Sequence, residues 1–184
     1  MNAWAAIWCP AADDMKNWTV KQLSAAAMMT AVSVVLLYLA QVAPTMKLSL
    51  TALSGVAAAL LIARHGPMSG ILCYGASSVL GLFLTPGSAW LYVVFFGWYP
   101  TVKCLVERLG RRAAEWTLKL LSFNAAFFLL WFLLPGVFAE LLPEMTGLFW
   151  LLWPAGNIVF VLFDLGLSQL LGFYIRTILS KIKK

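Results

Sequence analysis

Apolar positions in this chain gather into six stretches, each close to the length that crosses a bilayer, separated by short polar or Gly/Pro-containing breaks. The stretches cover residues 22–42, 48–63, 68–84, 89–102, 117–134 and 148–174. A spanning helix takes about 20 residues, usually about 17–25. The first, third and fifth stretches fit that window. The second and fourth are short and are expected to extend into their flanks, and the sixth is long and carries Pro154, which predicts a loop or a kinked turn at its start. The pattern predicts an all-α, polytopic membrane protein of six transmembrane helices.

Charge fixes how such a bundle sits in the membrane. With the amino terminus inside, the cytoplasmic segments hold Lys16, Lys21, Arg64, Lys103, Arg108, Arg111, Arg112, Lys119, Arg176, Lys181, Lys183 and Lys184. Lys47 alone falls outside, and Glu140 and Glu144 fall in the last external loop. Basic residues concentrate on the cytoplasmic side of membrane proteins, so both termini are expected in the cytoplasm of a bacterial cell. Composition agrees: 62% of residues are hydrophobic and 11% charged, against about a quarter charged in soluble domains. The net charge of +6 lies at the ends of apolar runs, which reads as topology and not as a nucleic-acid groove.

Residues 1–14 have no basic start and only a short apolar stretch, so they do not make a signal peptide. Met15 reads as a natural start before the first helix. Residues 1–14 are therefore expected to be a poorly structured extension, and 15–184 a single six-helix transmembrane domain. Cys9, Cys73 and Cys104 are odd in number, widely spaced and without a CxxC pattern, which argues against a metal site or a disulfide framework. No GxSxG, HExxH or Walker loop is present, and no cofactor is implied. Active transport would have to draw on a partner or an ion gradient.

The polar residues within the apolar runs are few. Asp164 lies deep in the sixth run, where an ionised carboxylate costs several kcal/mol unless it faces a partner or a wet cavity. Asn157 is two helical turns away on roughly the same face, and Asn124 lies in the fifth run. Lys103 and Glu107 lie at the inner end of the fourth. One reading pairs Asp164 with Lys103 or Arg176 as a structural clamp; the other makes the Asn157–Asp164 face part of a solute or proton path. The basic segment 104–116 reads as a connector held on anionic headgroups or as a docking surface. The third run, rich in Gly70, Gly75, Ala76, Ser77, Ser78 and Gly81, is expected at the centre of the bundle. Ala27 and Ala31 in the first run form a strip of small residues that lets another helix approach closely.

Six spans, the Ala27-Met-Met-Thr-Ala31 strip and the Gly66-Pro67-Met68-Ser69-Gly70 opening of the third run together resemble the substrate-binding S components of energy-coupling factor (ECF) transporters. The resemblance covers the chain from Met15 onward. It implies a vitamin-like or other small-molecule substrate taken from outside, by the external loops and the outer halves of the last three helices. Trp90, Tyr92, Trp150, Trp153 and Asn157 are then candidate lining. Ala27 and Ala31 would contact a coupling transmembrane subunit, which two ATPase subunits would drive. The six-span plan is also similar to the rod-shape MreD family, which implies instead a non-catalytic scaffold of the bacterial envelope.

Overall fold

The computed structural model describes Cys9, residues 20–133 and residues 149–179. Among these residues all regular structure is helical. Helix α1 spans Val20–Val42, α2 Lys47–His65 and α3 Pro67–Leu84. The short α4, Pro86–Leu91, runs through a π-helical stretch, Tyr92–Phe96, toward α5, Tyr99–Glu107. Helix α6 is Arg112–Leu133, and α7 is Phe149–Tyr174 with a π-helical end, Ile175–Leu179. Five spans are long and apolar enough to cross a membrane: α1, α2, α3, the combined stretch Pro86–Glu107, and Trp153–Thr177. Helix α6 adds 22 residues, about 33 Å of helix. This is the pattern of a multi-pass membrane protein.

Helix ends follow local chemistry. Gly66 closes α2 at φ 88°, a left-handed backbone that costs glycine little. Its N–H bonds the Ile62 carbonyl at 2.8 Å, and Ser69 Oγ donates to its carbonyl at 2.6 Å. Pro67 opens α3 where its missing N–H is harmless, and Pro86 does the same for α4. The short fourth run lengthens as its sequence predicts, but it is not one regular helix. Pro100 cannot donate to the Phe96 carbonyl, and the turn before it widens, with Gly97 N–H bonding Tyr92 O at 2.7 Å. Tyr74 Oη donates to Val93 O at 3.0 Å, satisfying one carbonyl of that widened turn.

Packing departs from the sequence in two places. Helix α2 is the centre of the bundle, not α3: it touches α1, α3, α5 and α7. It buries Thr51, Ser54, Gly55, three consecutive alanines from Ala57, and Leu61 to Ala63. On α3, Gly70 and Gly81 face neighbours while Gly75 and Ala76 point outward, so small residues alone did not locate the middle. Segment 104–116 does connect two helices. It is the end of α5, the start of α6 and the tight turn 108–111 between them, with Gly110 at φ 69°. Pro154 lies inside a continuous α7, past the first turn, so its missing N–H removes one bond of the helix ladder there.

Outward faces are apolar. Helix α1 turns Ala26, Thr30, Ser33, Leu37 and Ala40 inward and leaves Leu23, Met28, Val32, Val35 and Leu39 exposed. In water such a surface would be an association or aggregation site; in a bilayer it is the lipid face.

Candidate functional site

Three helices bring four opposite charges into one ring beneath the surface. Helix α5 carries Tyr99, Lys103 and Glu107 at intervals of four, hence on one face. Helix α7 carries Asp164 and Ser168 at the same interval, and α6 supplies Lys119. Asp164 Oδ1 accepts from Lys103 Nζ and from Tyr99 Oη, the latter at 2.5 Å. Its Oδ2 lies 3.1 Å from Lys119 Nζ. Glu107 Oε1 closes the ring, 2.8 Å from Lys103 Nζ and 2.6 Å from Lys119 Nζ. Lys103 also donates to Ser168 Oγ at 2.8 Å, and Ser168 in turn bonds the Asp164 carbonyl of its own helix.

The signs alternate around the ring and sum to zero. Lys103 is 1% exposed, Asp164 2% and Lys119 4%. An ion taken out of water costs several kcal/mol even after relaxation, and a partner repays this only in good geometry with the remaining donors and acceptors used. Here each charge faces two of opposite sign, and Tyr99 and Ser168 take further positions. The ring has the chemistry of a charge clamp: it ties α5, α6 and α7 together without leaving net charge in the apolar layer.

Next to the ring, residues of α6 and α7 line a wedge of about 990 Å³. Its walls run from Lys119 back to Arg112 on α6 and from Asp164 on to Thr177 on α7. The ring forms the floor. Arg112 and Arg176 also line it, both exposed.

The polar residues singled out in the sequence fall into two groups. Asp164 meets Lys103, one of the two partners considered for it. Arg176 is twelve residues further along and lines the wedge. Asn124 and Asn157 form a second polar joint between α6 and α7. Asn124 Nδ2 donates to Asn157 Oδ1 at 3.0 Å, and Trp153 Nε1 donates to Asn124 Oδ1 at 2.6 Å. Tyr92 is fully buried with its hydroxyl 2.7 Å from Ser77 Oγ, while Trp90 is half-buried. The Trp150 side chain lies outside the described residues, as do residues 1–8, 10–19, the loop with Glu140 and Glu144, and the tail with Lys181, Lys183 and Lys184. Of the candidate lining residues that are described, Trp90, Tyr92, Trp153 and Asn157, none borders the wedge. Ala27 and Ala31 are exposed, on a side of α1 turned away from its packed residues.

Sequence reasoning missed Lys119 and Tyr99 as members of the ring. Lys119 reads as one of the orienting charges, although it is the third residue of the fifth apolar run. The interval of four shared by Tyr99, Lys103 and Glu107 was the available signal. The cysteines need a correction. Cys9 and Cys104 are joined as a disulfide across 95 positions, with Cα atoms 5.6 Å apart. Sequence spacing cannot reveal a pair that only the fold brings together. Cys9 packs beside Ala63 and Leu171, and Arg108 Nε reaches its sulfur at 3.0 Å. Cys73 is free and buried.

The fold and the buried ring define the class, a multi-pass α-helical membrane protein in which a ring of ion pairs joins three helices. No family model, curated protein or solved structure matches the chain.

Proposed function

We propose that this protein is the substrate-binding membrane subunit of an ECF-type importer for a vitamin-like or other small solute. It sits in the bacterial cytoplasmic membrane with six spans and both termini inside. The observation that carries the reading is the position of Ala27 and Ala31. Internal packing of α1 uses Ala26, Thr30, Ser33 and Leu37, so the strip of small residues is left on the outside, where a partner helix can approach closely. The charge pattern supports the orientation, since turn 108–111 carries Arg108 and Arg111, and Arg64 ends α2. The solute is taken from the opposite side, through the outer halves of the last three helices and the aromatic residues there, and the charge ring holds those helices together from within.

Affinity purification of the tagged chain from its own host, followed by mass spectrometry, tests this. The expected result is co-purification of a coupling transmembrane subunit and two ATPases, together with a bound small molecule. Ala27→Trp and Ala31→Trp should release the partners while leaving the melting temperature of the chain unchanged. If both variants retain partners and uptake, the interface lies elsewhere. Cell-shape defects on depletion, with neither ligand nor ATPase bound, would replace this reading with an envelope scaffold.

A further inference from the structure

The Cys9–Cys104 disulfide belongs to the end of the bundle that the proposed orientation turns to the cytoplasm. Cys104 lies one helical turn before Arg108, the first residue of the basic turn 108–111. Cytoplasmic thiols are kept reduced, and the disulfides that form there are usually transient, catalytic or redox-sensing. A permanent staple would be out of place at this end; a pair that opens and closes would not. The surroundings of the two sulfurs differ. Cys104 is fully buried and Cys9 is 4% exposed. Cys9 belongs to the apolar cluster that joins α2, α5 and α7, with Ala63, Tyr99 and Leu171 among its members. Arg108 Nε donates to Cys9 Sγ at 3.0 Å, and Arg108 Nη2 donates to the Cys9 carbonyl at 3.4 Å. One guanidinium thus holds residue 9 by side chain and backbone, and it places positive charge where a Cys9 thiolate would form.

We propose that Cys9 and Cys104 form a reversible redox latch, closed by a small disulfide such as oxidised glutathione and opened by a dithiol. The proposal rests on the inward placement of the termini given above. Closing begins at Cys9, because Cys104 is enclosed. The Cys9 thiolate, facing Arg108, attacks one sulfur of the oxidant, whose S–S bond breaks and releases a first glutathione thiolate. Cys104 then gives up its proton and attacks the Cys9 sulfur of the mixed disulfide, releasing the second. Two electrons pass from the cysteine pair to the oxidant, and the two cysteine protons end on the two thiols released. Opening is the reverse exchange, with the dithiol taking up the disulfide. Closed, the latch ties residue 9 to α5 within the cluster shared with α2 and α7. Tyr99 belongs both to that cluster and to the charge ring, so the tie is made beside the clamp.

The test uses the full chain in its own membrane, with Cys73→Ala so that only the pair reports. Cells are quenched in acid, the protein is denatured, and free thiols are counted by the gel shift of a maleimide polymer. Untreated cells should show both thiols free. Oxidised glutathione added to inside-out vesicles should remove both, and dithiothreitol should restore them. Cys9→Ser or Cys104→Ser should leave the remaining thiol free throughout. Arg108→Gln should slow closing at least threefold, and Arg108→Lys should restore most of the rate. An unchanged rate in Arg108→Gln would overturn the route through Cys9. A pair that never closes in vesicles, or one found closed in untreated cells and closed still after dithiothreitol, would overturn the latch. The variant C9S/C73A/C104S/R111C then separates the latch from the orientation. Labelling of R111C from outside intact cells by an impermeant maleimide would overturn both, leaving a structural disulfide on the outer face. A permanently closed pair with R111C unreachable from outside would overturn the latch alone.

Discussion

The two halves of this bundle are held together by different means. Helices α1 to α3 meet through alanine, glycine and hydroxyl side chains whose hydrogen bonds go to nearby backbone. Ser33 Oγ donates to Ser54 O at 3.1 Å, and Ser88 Oγ, at the start of the fourth span, donates to Leu37 O at 3.0 Å. Helices α5 to α7 meet through long side chains: the ion ring, the Asn124–Asn157 joint, and rings such as Tyr99 against Phe160 at 5.0 Å and Phe123 against Phe160 at 4.6 Å. Lipid gives helices no hydrophobic reason to associate, so contact depends on close packing or on polar bonds. The first half uses closeness. The second spans wider gaps with charge and aromatic surface, and where those side chains end the gap stays open as the wedge. Damage should therefore concentrate at few positions in the second half and spread over many in the first.

The largest effect expected from that contrast is at the ring. Removing one member of a buried ion pair leaves the other charge uncompensated, a loss of about 3–5 kcal/mol. Lys103→Met should destabilise the protein by that order, read as a lower unfolding midpoint in detergent. Lys103→Met combined with Asp164→Asn leaves Lys119 facing Glu107 and should recover more than half of the loss. Asp164→Asn alone should impair folding more than it weakens solute binding. If the double variant is as unstable as the sum of the two single ones, the ring is not a coupled unit.

How much of this was legible in the chain differs between the halves. Helix limits were readable because a bilayer demands a fixed apolar length. The first run begins two residues inside α1, and the third begins one inside α3 and ends with it. The pairing of Lys103 with Asp164 was also within reach, since an acid in an apolar layer needs a cation and few are near. Lys119 was not, because a lysine near a helix end can serve topology equally well and only the crossing of α6 over α7 decides. The Cys9–Cys104 pair and the central place of α2 were invisible for the same reason. Both depend on which faces meet, and a chain that is apolar on every side carries no stripe to mark its inward face.

An intermediate effect tests closeness in the first half. A Cβ on Gly55 would lie 2.6 Å from the Phe96 carbonyl oxygen. That oxygen belongs to backbone and cannot swing aside. Overpacking of this kind costs about 1–3 kcal/mol, so Gly55→Ala should lower the unfolding midpoint although alanine favours helix over glycine by about 1 kcal/mol. Gly75→Ala is the control: nothing lies within 4 Å of its Cβ position, and the same substitution should be neutral or stabilising. Equal losses at both sites would mean that the α2 contact with the π-helical turn is loose.

The smallest effect belongs to the hydroxyls. Ser33 is fully buried and its bond to Ser54 O crosses from α1 to α2. Hydrogen bonds between transmembrane helices contribute about 0.6 kcal/mol on average and about 1.7 at most, because the separated helix finds other partners. The Ser54 carbonyl already belongs to the ladder of its own helix, so losing a second donor does not orphan it. Ser33→Ala also leaves a small residue at a close crossing, which preserves the packing that α1 depends on. A loss below about 1 kcal/mol is therefore expected, several times less than for Lys103→Met. Ser33→Leu keeps the apolar character but adds bulk, and it should cost more than Ser33→Ala in the same assay. Were Ser33→Ala the more damaging of the two, polar bonding rather than closeness would hold the first half, and the contrast between the halves would collapse.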